Sequence, residues 1–564
     1  MTRLLRQTNK IILREYLLQS TQPIEDLTRN YPGLIFRTIA DQVINVEVPE
    51  GAENDIQRLQ SNTRFLSVPT LYGLYAREAL ADSNILMFHD YPFGPLTGKG
   101  IIIGFVDTGI DYTNKLFQNA DNTTRILSIW DQTLTGNIPQ GHSYGAEYTE
   151  IEINRALQSE DPYQIVPTRD EIGHGTFLAG VAAGDDKTGA DEYIGGAPDA
   201  SIVMVKLRQA STYLKQYYLI KDDDIAYQDN NFIEGINYLL QVAFELQKPL
   251  VICIGIGNTD GAHNGSTIVE RFLNALSTFT NLIIIIAAGN EANSGHHFSG
   301  IITNEQKQDI EINVSPEEVR GFIVNIWASI SDKLAVSLRS PIGQVVDRLP
   351  IIPNETTIYT LGLEQSIVTV TYNYPDVQTG SENIIIRFER PTPGLWTITV
   401  YGEAIVNGNY NVWLQRNDFV IDITRFLNSD TLTTICIPSS SEYLVTVGAY
   451  NYVDQSIYVG SGRGPTADYK VKPELIAPGV NVTGPKPGGG YTTYVGTSTA
   501  AAITASAAVL LMQWAVVQGN LEQMNTRIAR GILIRGATRR RGIDYPNNVE
   551  GYGKLDLRGS IVRI

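Results

Sequence analysis

Cysteine is almost missing from this chain: 564 residues contain two, Cys253 and Cys436. Both lie in apolar, strand-like stretches and read as buried thiols, so neither a disulfide framework nor a cysteine metal site is expected. Positive charge is also short. There are 43 Lys and Arg against 60 Asp and Glu, a formal net charge of −17. That balance disfavours nucleic acid or an anionic membrane surface as a partner. No uninterrupted apolar run of transmembrane length is present, so no membrane span is expected. Residues 1–10 have neither a sustained apolar core nor a small-residue cleavage site. They do not read as a signal peptide, and synthesis in the cytosol follows. What remains is an ordinary apolar content of 43%, fit for a globular chain of more than one domain.

Three stretches carry the chemistry. After Gly496-Thr497-Ser498 comes a long run of small and apolar residues to Met512, without proline or charge. It reads as a buried helix with Ser498 at or near its N-terminus. The unpaired N–H groups and positive dipole there suit a serine that attacks a carbonyl, although a plain N-cap serine on a core helix has the same look. The apolar run Ile101 to Val106 ends in Asp107-Thr108-Gly109, as a strand buried on both faces of a parallel sheet would. Sites in open α/β sheets gather at such carboxyl ends. His174 stands between Gly173 and Gly175 and opens a small-residue helix. A single histidine is more often structural, but this one lies between the other two motifs in the chain.

The order Asp107, His174, Ser498 resembles the subtilase (subtilisin-like serine protease) signatures Asp-Thr-Gly, His-Gly-Thr and Gly-Thr-Ser. Leu282 to Glu291 resembles the strand that ends in the family's oxyanion asparagine, here Asn290. The resemblance implies Ser498 as nucleophile, His174 as general base and then acid, and Asp107 as the group that orients the imidazole. It implies that Gly255-Ile256-Gly257 is the substrate-binding segment, which usually reads Ser-Leu-Gly. The serine is missing here, which puts side-chain specificity in question. After Ser498 the chain reads Thr499-Ala500-Ala501-Ala502-Ile503, without the family's Pro-His continuation. No metal or other cofactor is expected.

The expected fold is α/β: a subtilisin-like parallel sheet with helices on both faces, a small α+β prodomain and an inserted β-sandwich, or jelly roll. Residues 1–75 alternate helical and extended patterns and match a prodomain in size. The catalytic domain would run over 76–297 and 436–564. The 67 residues from Asp107 to His174 leave room for a surface insertion within 136–167. Residues 298–435 show period-two apolar runs between Gly and Pro turns, as a sandwich does. His263, in a Gly-rich loop, reads as structural. By resemblance the prodomain chaperones folding, lies in the cleft and is cut near Tyr75-Ala76-Arg77.

The short prodomain and the insert between the Asn290 and Ser498 motifs resemble the Csp group of clostridial germination proteases. That resemblance implies a protein substrate, namely the zymogen of a spore cortex hydrolase. It also implies a place in the spore cortex or coat, with the prodomain bound in the cleft. Two other readings stand beside it. One is a catalytically silent, prodomain-plugged regulatory scaffold in germination. The other is a general intracellular subtilase.

Overall fold

The computed structural model describes residues 12–63, 66–69, 71–74, 82–89, 94–187 and 193–562. At its centre is an eight-stranded sheet. In spatial order the strands are Leu475–Pro478, Val445–Tyr450, Leu282–Ala287, Leu250–Ile254, Ile102–Asp107, Ser201–Lys206, Ile126–Asp131 and Ala146–Thr149. Valine and isoleucine dominate the inner strands, and every residue of Ile102–Asp107, Leu250–Ile254 and Leu282–Ala287 is buried. β-branched runs without alternation suit strands covered on both faces. The pairs are parallel, but the edge strand Ala146–Thr149 runs antiparallel to Ile126–Asp131. The sheet is therefore mixed rather than wholly parallel. The antiparallel strand comes from the long interval between Asp107 and His174, which also folds the helix Glu150–Leu157.

Helix Thr497–Met512 packs on this sheet with all of its residues buried. Continued to Val517, it is long and apolar enough to cross a membrane by length and composition, yet it is the core helix of the sheet. Small side chains allow the approach. A Cβ added to Gly196 would fall 2.0 Å from the Ser506 hydroxyl on this helix. Cys253 and Cys436 are both buried, and burial pushes the Cys253 thiol well up, so it stays protonated.

The N-terminal module has its own four-stranded sheet, Ile35–Ala40, Val43–Pro49, Ile12–Gln19 and Leu66–Ser67, with helices Ile24–Asn30 and Glu53–Asn62. Period-two alternation divides its apolar residues between two jobs. Leu18, Ile44 and Val46 meet the module's own helices. Leu17, Ile39 and Val43 instead join the core around helix Asp229–Glu245. Polar contacts fix that seat: Asn230 Nδ2 donates to Glu15 Oε2 at 2.6 Å and to Asn45 Oδ1 at 2.8 Å, and Arg37 pairs with Glu234.

Between Asn290 and Ser498, two antiparallel sheets of six and five strands pack face to face. Inward residues such as Phe322, Val336, Phe388 and Trp396 form one core. The sandwich also buries two carboxylates close to each other. Asp332 accepts N–H groups from Val406, Asn407 and Gly408 at 2.7–2.8 Å. Glu382 accepts the Leu334 N–H at 2.9 Å. Burial, with the Asp332 charge beside it, pushes the Glu382 carboxyl up to about 8. Folded Glu382 thus holds its proton more tightly than the unfolded chain does, and stability falls as pH climbs from the usual glutamate range through about 8. Glu382→Gln should flatten that slope and raise the Tm above wild type at pH 8.5. Thermal unfolding followed at pH 5 and pH 8.5 checks this; a variant with the wild-type slope would contradict it.

Candidate active site

Asp107 ends its strand at the carboxyl edge of the sheet, and its Oδ1 accepts the N–H of Thr108 at 2.7 Å. The carboxylate then faces His174 Nδ1, at 2.8 and 3.0 Å from its two oxygens. His174 opens helix His174–Ala183, and that start is built with care. Gly173 holds φ 91°, a left-handed conformation that favours glycine. Asp170 caps the helix, accepting from Gly173 N–H at 2.8 Å and from Thr176 N–H and Oγ1 at 2.9 and 2.7 Å. A Cβ on Gly175 would strike the Gly109 carbonyl at 2.2 Å, so the two motifs come this close only with glycine at that position.

Ser498 is the second residue of its helix, and its Oγ lies 3.2 Å from His174 Nε2. All three side chains are buried. A hydroxyl held this way can pass its proton to the imidazole as it attacks a carbonyl, with the carboxylate fixing the tautomer and steadying the imidazolium. Asn290 follows the strand Leu282–Ala287. Its Oδ1 accepts from Thr497 N–H and Oγ1 at 3.1 and 3.2 Å, which leaves the amide nitrogen as the donor for an oxyanion. The structure thus brings Asp107, His174, Ser498 and Asn290 together.

It brings Gly255 there too. A Cβ at this position would lie 3.1 Å from His174 Cε1, 3.3 Å from Ser498 Cβ and 2.7 Å from Leu178 Cδ1. Glycine is the residue that fits. Ile256–Gly257 forms a short strand, and the cleft beside it is filled. Leu71–Leu74 runs antiparallel between Tyr227–Gln228 and Ile256–Gly257, with Leu74 opposite Ile256 and Gly73 opposite Gly257. A segment of the N-terminal module therefore lies where an extended peptide substrate would. Tyr75, Ala76 and Arg77 lie outside the described residues.

His263 is buried on the face of Trp413 with 4.1 Å between ring centres, and its nitrogens face the carbonyls of Ile435 and Thr259. Burial depresses its pKa to about 4. It has a structural place and stands apart from Ser498. Among the described residues no His, Cys, Asp and Glu cluster is arranged to hold a metal.

Sequence reading missed the root of the insert. Arg416, where the chain leaves the sandwich, is wholly buried. It donates from Nη1 to the Gly257 carbonyl at 2.6 Å and from Nη2 to Asp418 at 2.7 Å. Glu291, next to Asn290, accepts the Asn417 N–H at 3.2 Å and lies 3.5 Å from His296 Nδ1. Its pKa is lowered against the pull of burial by the neighbouring His296 ring and the Arg416 guanidinium. The exit of the insert thus holds both the substrate-binding strand and the loop that carries Asn290. Arg416 and Gly257, and likewise Glu291 and Asn417, are more than a hundred residues apart in sequence, and no local pattern announces these pairs.

Comparison with known proteins agrees with this geometry. The profile of the subtilase family matches residues 98–324 and 405–553. The solved structure of the CspB protease of Clostridium perfringens is similar with a TM-score of 0.76 and 30% identity, covering 85% of this chain and 96% of that one. The serine protease AprX of Bacillus subtilis is 35% identical over 186 residues, 29% of this chain and 34% of AprX. A PII-type proteinase of Lacticaseibacillus paracasei is 21% identical over 90% of this chain, which spans 27% of that protein. The chain therefore covers about a third or less of the length of these curated relatives.

Arg416→Lys keeps the charge but loses the planar fork that reaches Gly257 and Asp418 together. It should raise KM about tenfold for peptides with three or more residues before the cut, and leave substrates with two within about twofold. Steady-state kinetics on a length series checks this. A uniform fall in kcat across the series would point to a general structural defect instead.

Proposed function

The chain belongs to the subtilase family, and we propose that it is a self-processing serine endopeptidase whose N-terminal module is its prodomain. The observation that carries this reading is the hydrogen-bonded line Asp107–His174–Ser498 with a peptide-like strand of the same chain beside it. Ser498 attacks the scissile carbonyl, His174 takes its proton and gives it to the leaving amine, and Asp107 holds the imidazole. Asn290 and the N–H groups at the start of the Ser498 helix receive the oxyanion. An acyl-enzyme forms and water hydrolyses it. Removal of the Asn290 donor would cost about 10²–10³ in kcat, and removal of Ser498 or His174 about 10⁶.

Leu74 pairs with Ile256, and the neighbouring Gly255 lies against Ser498 and His174. That supports self-cleavage within a few residues of Leu74, and we assign it to the bond after Tyr75.

We propose further that the physiological substrate is a protein zymogen, the precursor of a spore cortex hydrolase activated in germination, with the site of action in the spore. The likeness to CspB over 85% of this chain supports that reading. Retention of the cut prodomain on the catalytic domain is supported by the core that it shares with helix Asp229–Glu245, while its tail Leu71–Leu74 gives way to substrate in the cleft.

Intact mass spectrometry of wild type beside Ser498→Ala tests the activity. Wild type should appear as two pieces divided after Tyr75, and the variant as one full-length chain. An uncut, folded wild type would overturn the reading and favour a scaffold with a permanently filled cleft.

A further inference from the structure

The outer face of the six-stranded sheet of the insert is turned toward the cleft. Its inner face is apolar, as a sandwich requires. The outer residues follow the pleat: Asn325 on one strand, Ile385 opposite it on the next, and Thr371 opposite that. One step along, Trp327 is followed by Asn383 and Asn373. Threonine, asparagine and one tryptophan outnumber the charged residues on this face, where Arg387 sits between Ile323 and Thr369. The face borders a cavity of about 500 Å³ that is open on one side. The opposite wall is formed by Leu66, Ser67 and Val68 of the N-terminal module and by Tyr217, Tyr218 and Asp260 near the cleft.

Two features indicate what such a cavity takes. The first is continuity. Leu66–Val68 lead directly toward Leu71–Leu74, the segment paired with Ile256–Gly257. With the cut after Tyr75, residues 66–68 are the tenth to eighth residues before it. A substrate strand that replaces this segment would meet the sheet face at the same distance from its own scissile bond. The second is chemistry. The Trp327 Nε1–H is buried without a hydrogen-bond partner, although it lies in the wall of the cavity. Such a donor costs free energy until an acceptor arrives. Asn325 does reach Asp260, at 3.2 Å, and ties the face to the catalytic domain. Arg387 is the one cation in the wall among the described residues, and it is occupied by Glu389 at 2.9 Å and by the Gln216 carbonyl at 3.2 Å. Asp229, Asp260 and Asp376 remain at the border. Amides, hydroxyls and an indole N–H match peptide N–H and C=O groups, and the three carboxylates disfavour acidic side chains.

We propose that the outer sheet face of the insert is an extended substrate site that binds a neutral or basic polypeptide segment roughly eight to ten residues upstream of the scissile bond. The proposal rests on the endopeptidase reading above and gives the insert a part in substrate selection. Proteins with a long exposed strand before the cut bind better than short peptides. The prodomain tail is the first such strand that the cleft meets.

The test uses the processed wild-type protein and two peptides with the same residues around the cut. One has five residues upstream of it and the other has twelve, with no acidic residue among the added seven. The longer peptide should be cut with kcat/KM about tenfold higher, the difference lying in KM. Thr371→Arg places a bulky cation on the face, away from Ser498, and should abolish that advantage while leaving the short peptide unchanged. Trp327→Phe removes the N–H while keeping a ring and should remove part of it. Equal kcat/KM for the two peptides in wild type, or a length advantage that survives Thr371→Arg, overturns the proposal while the endopeptidase reading stands. Failure of processed, folded protein to cut either peptide overturns the endopeptidase reading, and this proposal with it.

Discussion

The contact between the Asp107 carboxylate and the His174 imidazole, at 2.8 Å, is what the rest of the arrangement serves. It joins the end of a central strand to the first residue of a helix 67 positions later. Such a contact needs the backbones close, and glycine supplies that: Gly175 lies against the Gly109 carbonyl with no room for a Cβ. It also needs the helix to start at one residue, which the Asp170 cap secures. Once the imidazole is fixed, the remaining nitrogen points to Ser498, and the Ala-rich helix behind it is free to sit deep in the core. The chemistry is thus held by the most buried part of the fold, where movement costs most.

The cleft is walled by two elements outside the sheet. The N-terminal module approaches from one side, shares a core with helix Asp229–Glu245 and lays Leu71–Leu74 into the cleft. The insert approaches from the other. Its exit places a buried arginine on the carbonyl of Gly257 and a backbone N–H on Glu291 beside Asn290. A buried charge of this kind is stable only while its partners stay in place. The sandwich therefore does more than cover surface: its root helps to define the geometry of the substrate strand and of the oxyanion asparagine.

The residues of the site were legible in the sequence because each sits at a local boundary. Asp107 ends an apolar run, His174 is flanked by glycines, and Ser498 precedes a helix of small residues. These are one-dimensional signals of strand end and helix start. The inserted sandwich was legible from its period-two runs. The antiparallel edge strand Ala146–Thr149 was not, because four residues before a helix leave no pattern to read. Nor was the cleft strand. Leu71–Leu74 has no strong strand signature, and its partners lie more than 150 residues away. Arg416 and Glu291 read as ordinary charged residues and acquire their role only through contacts made when the two ends of the insert meet. Gly255 was visible as a departure from the family pattern. Its reason became visible only beside His174 and Ser498.

The central claim is that Ser498 is an activated nucleophile in a cleft that the chain itself fills and then opens. Covalent labelling measures this directly. Purified protein is treated with a phosphonate that reacts with activated serine, and the adduct is located by peptide mass spectrometry. The account predicts one adduct, on Ser498, that forms in wild type and is lost in His174→Ala. Folded wild type that has been processed yet takes no label at Ser498, or takes it equally without His174, would contradict it.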